Sequence, residues 1–159
     1  MSRDARFADG GEAPLNLRGE SAEDVTVMAA LVQDAVLPVA EIRYEPKARR
    51  LSMLLNRFRW EDKARAEAEG RPYERVQTLL VISDVLKVAS QGFDRHDADL
   101  VLSVLELAFE PGADGTGRVV LVLAGDGALA AEVECLALDL RDVTRPYAAV
   151  SGQAPHHPE

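Results

Sequence analysis

The sequence predicts an α+β domain: a mostly antiparallel, curved or partly closed β-sheet with one main N-terminal amphipathic helix packed on it. Three observations predict it. Residues 41–46 (Glu-Ile-Arg-Tyr-Glu-Pro) and 106–111 (Glu-Leu-Ala-Phe-Glu-Pro) share one pattern of acid, aliphatic, any residue, aromatic, acid, proline. Each leads through a polar turn into an apolar run, as β-hairpins do. Gly125-Asp126-Gly127 joins two further apolar runs as a tight turn. Finally, Val25, Met28, Ala29, Val32, Ala35 and Val36 recur at steps of three and four, which is the stripe of a helix that stops before Pro38.

The elements follow in order. Ser21 can cap the helix, and Glu23 and Asp24 suit its positive end. Residues 39–45 alternate, with Ala40, Ile42 and Tyr44 against Glu41, Arg43 and Glu45, so a strand with one wet face is expected. The return run places Leu51, Met53 and Leu55 on one parity and Phe58 and Trp60 on the other, which predicts a bulge near Asn56 and Arg57. Residues 61–75 are highly charged, with Gly70-Arg71-Pro72 inside, and read as an exposed connection or frayed helix. Residues 76–90 read as strands broken at Ser83-Asp84, residues 94–99 as a turn, and residues 100–110 and 118–124 as strands. The run from 128 reads as strand to about 134, with a continuation to 143 open to strand or helix. About six or seven strands result. The two hairpin motifs stand 65 residues apart, compatible with a duplication or with chance.

Composition narrows the class. A chain of 159 residues with 47% apolar content can bury a core as one domain, here 14–145, between disordered tails at 1–13 and 146–159. The net charge of −9 disfavours nucleic acid and anionic membrane as partners. One cysteine, Cys135, permits no internal disulfide and suits a cytoplasmic, reducing home, where it reads as a small buried hydrophobe. Signal and membrane-spanning segments are not expected. His156 and His157 read as part of a solvated tail.

The residues Ala22-Glu-Asp24, Gln33-Asp34-Ala-Val36, Leu55-Asn-Arg-Phe58 with Trp60-Glu61, Gly92-Phe-Asp-Arg95, Phe109-Glu-Pro111 and Glu132-Val-Glu-Cys135-Leu resemble a known family. It is a family of small uncharacterised alphaproteobacterial proteins, a domain of unknown function often encoded beside histidinol dehydrogenase. The resemblance runs from about residue 15 to 143. It implies a cytoplasmic single-domain protein and carries no activity with it.

Motifs for catalysis and cofactors are mostly missing. Phosphate-cradling glycine loops, zinc pairs and nucleophile elbows are absent, and Cys135 and His96 lack any activating signature. No cofactor is expected. Asp94, His96, Asp97 and Asp99 form an acidic turn that could hold a divalent ion, but the glycine and distal glutamate of a calcium loop are missing. Capping of the turn's own backbone is the favoured reading. The most distinctive polar cluster is Asn56, Arg57, Trp60 and Glu61, types enriched where proteins hold partners or anions. Against it stands a structural reading in which Trp60 fills the core and Arg57 pairs with a carboxylate. The sequence thus points to a non-catalytic cytoplasmic binding or adaptor module, acting on an unknown protein partner or by self-association, with a homodimer as one form. The alternative is a small anionic-metabolite-binding protein or unrecognised enzyme using Arg57, Trp60 and Arg95.

Overall fold

The structure, a computed structural model, describes residues 3–4, 13–149 and 154–155. The strands are β1 (Arg3–Asp4), β2 (Asn16–Gly19), β3 (Val36–Pro38), β4 (Ile42–Glu45), β5 (Arg50–Phe58), β6 (Glu74–Ile82), β7 (Val85–Gln91), β8 (Val101–Pro111), β9 (Gly117–Leu123), β10 (Gly127–Val133), β11 (Leu138–Asp142) and β12 (Tyr147–Ala148). They form one open, mostly antiparallel sheet in the order β1-β2-β11-β6-β5-β3-β8-β9-β10-β7, with β12 on β6 and β4 on β5. Among these pairs only β1 and β2 run parallel. The fold is therefore mainly β, more strongly than the α+β expectation. Residues 1–2, 5–12, 150–153 and 156–159, where most of the expected tails and both tail histidines fall, lie outside the described residues.

The sheet turns a corner where β6 passes to β7 and β10 to β11. At that corner the Ser83 N–H donates to the Ala137 carbonyl at 3.0 Å, and the Glu134 N–H to the Asp84 carbonyl at 2.9 Å. Asp84 takes φ of 57°, a left-handed conformation that Asp tolerates better than most side chains. The break expected at Ser83-Asp84 is thus a change of direction, and the run after 134 resumes as β11. Both halves turn their apolar parity inward to one core, in which Leu17, Leu55 and Leu80 of one half meet Leu121, Leu129 and Val133 of the other. Burying each such side chain contributes roughly 1.5–3 kcal/mol.

Helix α1 (Ala22–Val32) buries Val25, Met28, Leu31 and Val32 and packs chiefly against β8. The Ser21 hydroxyl accepts from the Asp24 N–H at 3.2 Å, and the Asp24 carboxylate accepts from the Glu20 N–H at 3.0 Å, a reciprocal cap. The helix stops four residues before the apolar stripe does. Asp34 takes φ of 62°, and Val36 leaves the stripe to open β3.

Two more expectations change. Strand 39–45 begins only at Ile42, after a single 3-10 turn over Val39–Glu41. The bulge at Asn56 and Arg57 does not exist, because β5 pairs with β6 without interruption from Leu51↔Ile82 to Phe58↔Arg75. The register shifts occur instead beside Leu105 in β8 and between Glu132 and Val133 in β10. The charged stretch at 61–75 is entered through a 3-10 turn (Trp60–Asp62) and contains helix α2 (Lys63–Glu69), closed by Gly70 at φ of 66°. Only Ala66 of α2 is buried, so i,i+4 pairs Lys63–Glu67 and Arg65–Glu69, both 3.3 Å, support an otherwise exposed helix.

Candidate functional site

Arg57 continues the inward parity of β5 after Leu51, Met53 and Leu55, so its side chain enters the core and is fully buried. A buried cation requires partners, and it has several. Its Nη1 and Nη2 donate to the two carboxylate oxygens of Glu61 at 2.8 and 2.7 Å, Nη2 also to Asp142 Oδ1 at 3.1 Å, and Nε to Thr78 Oγ1 at 3.1 Å. Thr78 Oγ1 in turn donates to Asp142 Oδ1 at 2.7 Å, and the Leu15 N–H donates to Asp142 Oδ2 at 2.9 Å. The side chains of Glu61 and Asp142 are 1% and 3% exposed. Burial opposes the Arg57 charge, and the bonds to Glu61 and Asp142 more than offset it, so its pKa is raised.

The other members of the cluster surround this network. Phe58 is fully buried, with the Trp60 ring edge-on at 4.7 Å and the Tyr73 ring at 5.6 Å. The Trp60 indole N–H donates to the Gln33 carbonyl at 2.9 Å, which ties the end of α1 to the turn before α2. Asn56 points to the opposite face, where its backbone and side-chain oxygens accept from Arg75 Nη1 at 3.2 and 3.1 Å. Arg59 pairs with Glu74, and Arg71 grips Asp62 through two bonds of 3.0 and 3.1 Å. Asn56, Arg57, Trp60 and Glu61 are thus neighbours, but their polar groups are turned onto the protein itself. Thr78 and Asp142 were missed by sequence reasoning. The available signal was a polar residue on the buried parity of three adjacent strands, since Leu55 pairs with Thr78 and Thr78 with Asp142.

Asp62 is buried, and its bonds to Arg71, aided by the nearby charge of Arg59, hold its carboxyl below the ordinary range. A depressed carboxylate pKa stabilises the fold fully above its unfolded value, about 3.9, and this stabilisation disappears as pH falls through the folded one. Urea unfolding at pH 6, 4 and 3 should therefore show the wild type losing more stability across the lower step than Asp62→Asn does.

Asp94, His96, Asp97 and Asp99 lie together in an exposed turn. Asp94 Oδ1 accepts from the His96 N–H at 2.9 Å, and Asp97 Oδ1 from the Asp99 N–H at 3.3 Å, so two of the carboxylates bond the turn's own backbone. No group of three or more His, Cys, Asp or Glu among the described residues is placed to hold a metal ion. Cys135 is exposed, contrary to the expectation of a buried hydrophobe, because it sits on the corner between β10 and β11. Its thiol donates to Asp84 Oδ2 at 3.1 Å, which raises its pKa and disfavours the nucleophilic thiolate.

The outward parity of β8, β9, β10 and β7 carries a different pattern. Register aligns Ala108, Val120, Ala130 and Ala89 in one row across the four strands. Beside it run Glu106, Val122, Ala128 and Gln91 on one flank and Glu110, Arg118, Glu132 and Lys87 on the other. The result is a face of small apolar side chains, with a shallow hollow over Ala89, Val120, Ala128 and Ala130, bordered by a row of alternating charge. Arg118 and Glu110 pair along that row at 2.7 Å while both remain half exposed.

No curated protein and no solved structure matches the chain. A family model described as a protein of unknown function, DUF2948, matches residues 15–157, which is most of the sequence, and the chain belongs to that family.

Proposed function

We propose that this protein is a non-catalytic, cytoplasmic binding module, and that the surface it binds through is the outer face of β8, β9, β10 and β7, with a second copy of the chain as occupant. The charge row carries this reading. Read across the strands it runs minus, plus, minus, plus through Glu110, Arg118, Glu132 and Lys87. A two-fold axis parallel to the strands reverses the row in the facing copy, which sets Lys87 over Glu110 and Glu132 over Arg118. Every charge then meets its opposite, as an isologous contact requires. The same operation lays Ala108 over Ala89, Val120 over Ala130 and Gln91 over Glu106, so small side chains allow the sheets to approach closely. Four strands about 4.8 Å apart and about seven residues long present roughly 450 Å² per copy, below the standard interface, so the dimer is weak and concentration-dependent.

The metabolite reading at Arg57 and Trp60 lacks a cation to offer, since the Arg57 guanidinium is fully buried and bonded to Glu61, Asp142 and Thr78. Sedimentation equilibrium tests the dimer. Wild type should associate in the micromolar range or weaker, Arg118→Glu should lose most of that association by opposing like charges twice, and Arg118→Glu with Glu132→Arg should recover it by restoring opposite signs at every position. A monomer at all concentrations, or a double variant no better than the single one, contradicts the reading.

A further inference from the structure

A separate feature opens between two strands that each have a neighbour on one side only, β4 on β5 and β7 on β10. There lies a cavity of about 250 Å³, lined by Val39, Ile42, Tyr44, Leu51, Val88, Phe93, Arg95 and Leu129; Leu51 and Leu129 are buried, and the exposed Arg95 marks its mouth. Six of its eight lining residues are apolar, and Tyr44 and Arg95 are the two with polar side-chain groups. The Phe93 wall is held in place by Gly92, at φ of 76°, where any side chain would run into the Asp126 carbonyl of the β9–β10 turn. That crowding seats the segment leading to Arg95 directly on the turn, so the mouth of the cavity is built onto the sheet.

We infer that this cavity is a binding site for a small amphipathic carboxylate, its apolar body between β4 and β7 and its anionic head at Arg95. Volume and charge lead to this class. A dry apolar cavity of about 150 Å³ accepts a benzene ring, so this one has room for a ring with a short extension or a medium-length acyl chain. Arg95 is the only charged group on its lining, is exposed, and forms no ion pair or hydrogen bond with another described residue, in contrast to Arg57 and Arg71. In a chain of net charge −9, a guanidinium at an apolar opening recognises one anion and leaves the acidic surface to repel ligands of higher charge. The cavity takes Val88 and Leu129 from the inward parity of β7 and β10, whose outward parity carries Lys87 and Glu132 of the charge row, so it does not depend on self-association.

Calorimetric titration with octanoate, beside its uncharged analogue octanol, tests the inference. Wild type should bind both saturably at one site, and Arg95→Gln, a change at an exposed position, should weaken octanoate about tenfold or more while leaving octanol within twofold, as expected for loss of a charge-assisted contact. Val88→Phe, which fills the cavity, should abolish both while the variant keeps a cooperative unfolding transition. Saturable binding is the first requirement, so no uptake of octanoate by wild type overturns the proposal. Octanoate binding that is indifferent to Arg95→Gln or to Val88→Phe overturns it equally.

Discussion

Arg57→Ala will destabilise the domain by about 3–5 kcal/mol, the cost typical of breaking a buried ion pair. The size follows from what the substitution leaves behind. Glu61 and Asp142 would remain as carboxylates with side chains 1% and 3% exposed, still beside Thr78 and the Leu15 N–H but without their shared cation. The three charges taken together have a different standing, because desolvating all of them offsets much of their attraction. Replacing the set together, as Arg57→Met, Glu61→Leu and Asp142→Asn, should bring stability back to within about 2 kcal/mol of wild type. The amide that takes the place of the Asp142 carboxylate can still accept from the Leu15 N–H and donate to Thr78. Urea denaturation of the single and triple variants separates the two quantities.

Phe58→Ala should cost about 3–5 kcal/mol, again among the largest effects of any single change. Its ring is fully buried at the end of β5 and makes edge-on contacts with Trp60 at 4.7 Å and Tyr73 at 5.6 Å. Removing it empties the space beneath the turn that begins α2 and frees the two rings whose orientation it sets, adding roughly 0.5–1.5 kcal/mol for each lost aromatic pair to the loss of apolar burial. Trp60 is the only tryptophan, so its fluorescence reports this position directly. The emission should shift to the red in folded Phe58→Ala, and the urea midpoint should fall with an unchanged slope.

Both predictions concern residues that the sequence marked for a different reason. Local signals were legible: the Ser21 cap, the hairpin turns expected at 46–50 and 125–127, and the break at Ser83-Asp84 all rest on short-range chemistry, and each has a structural counterpart, the turns lying between paired Glu45 and Arg50 and between paired Leu123 and Gly127. The strand phase of β5 was misread because an arginine was not allowed on a buried parity. Placing Phe58 and Trp60 inside then demanded a bulge at Asn56, whereas Arg57 itself continues inward, Phe58 is the last residue of the strand, and Trp60 packs on it from beyond the strand's end. What makes that arrangement possible is Asp142 and Thr78, which lie 85 and 21 residues away and meet Arg57 only through the pairing of β5, β6 and β11. Periodicity within one segment carries no information about such a partner. The outer charge row was invisible for the same reason, since Glu110, Arg118, Glu132 and Lys87 become neighbours only once the register of four strands is set. Arg95 was named in sequence as a possible anion holder beside Arg57 and Trp60, and Gly92-Phe-Asp-Arg95 as part of the family resemblance, but the place of Phe93 and Arg95 at the cavity depends on β4 and β7, which do not pair with each other.

Separating architecture from binding is the central claim, and association of the neutral triple variant, compared with Arg118→Glu in sedimentation equilibrium, tests it most directly. The triple variant should associate as wild type does, because the cluster at Arg57 only supports the sheet, while Arg118→Glu should remain monomeric. A folded triple variant that no longer associates, alongside an Arg118→Glu variant that still does, would move the binding surface to the Arg57 cluster and contradict this account.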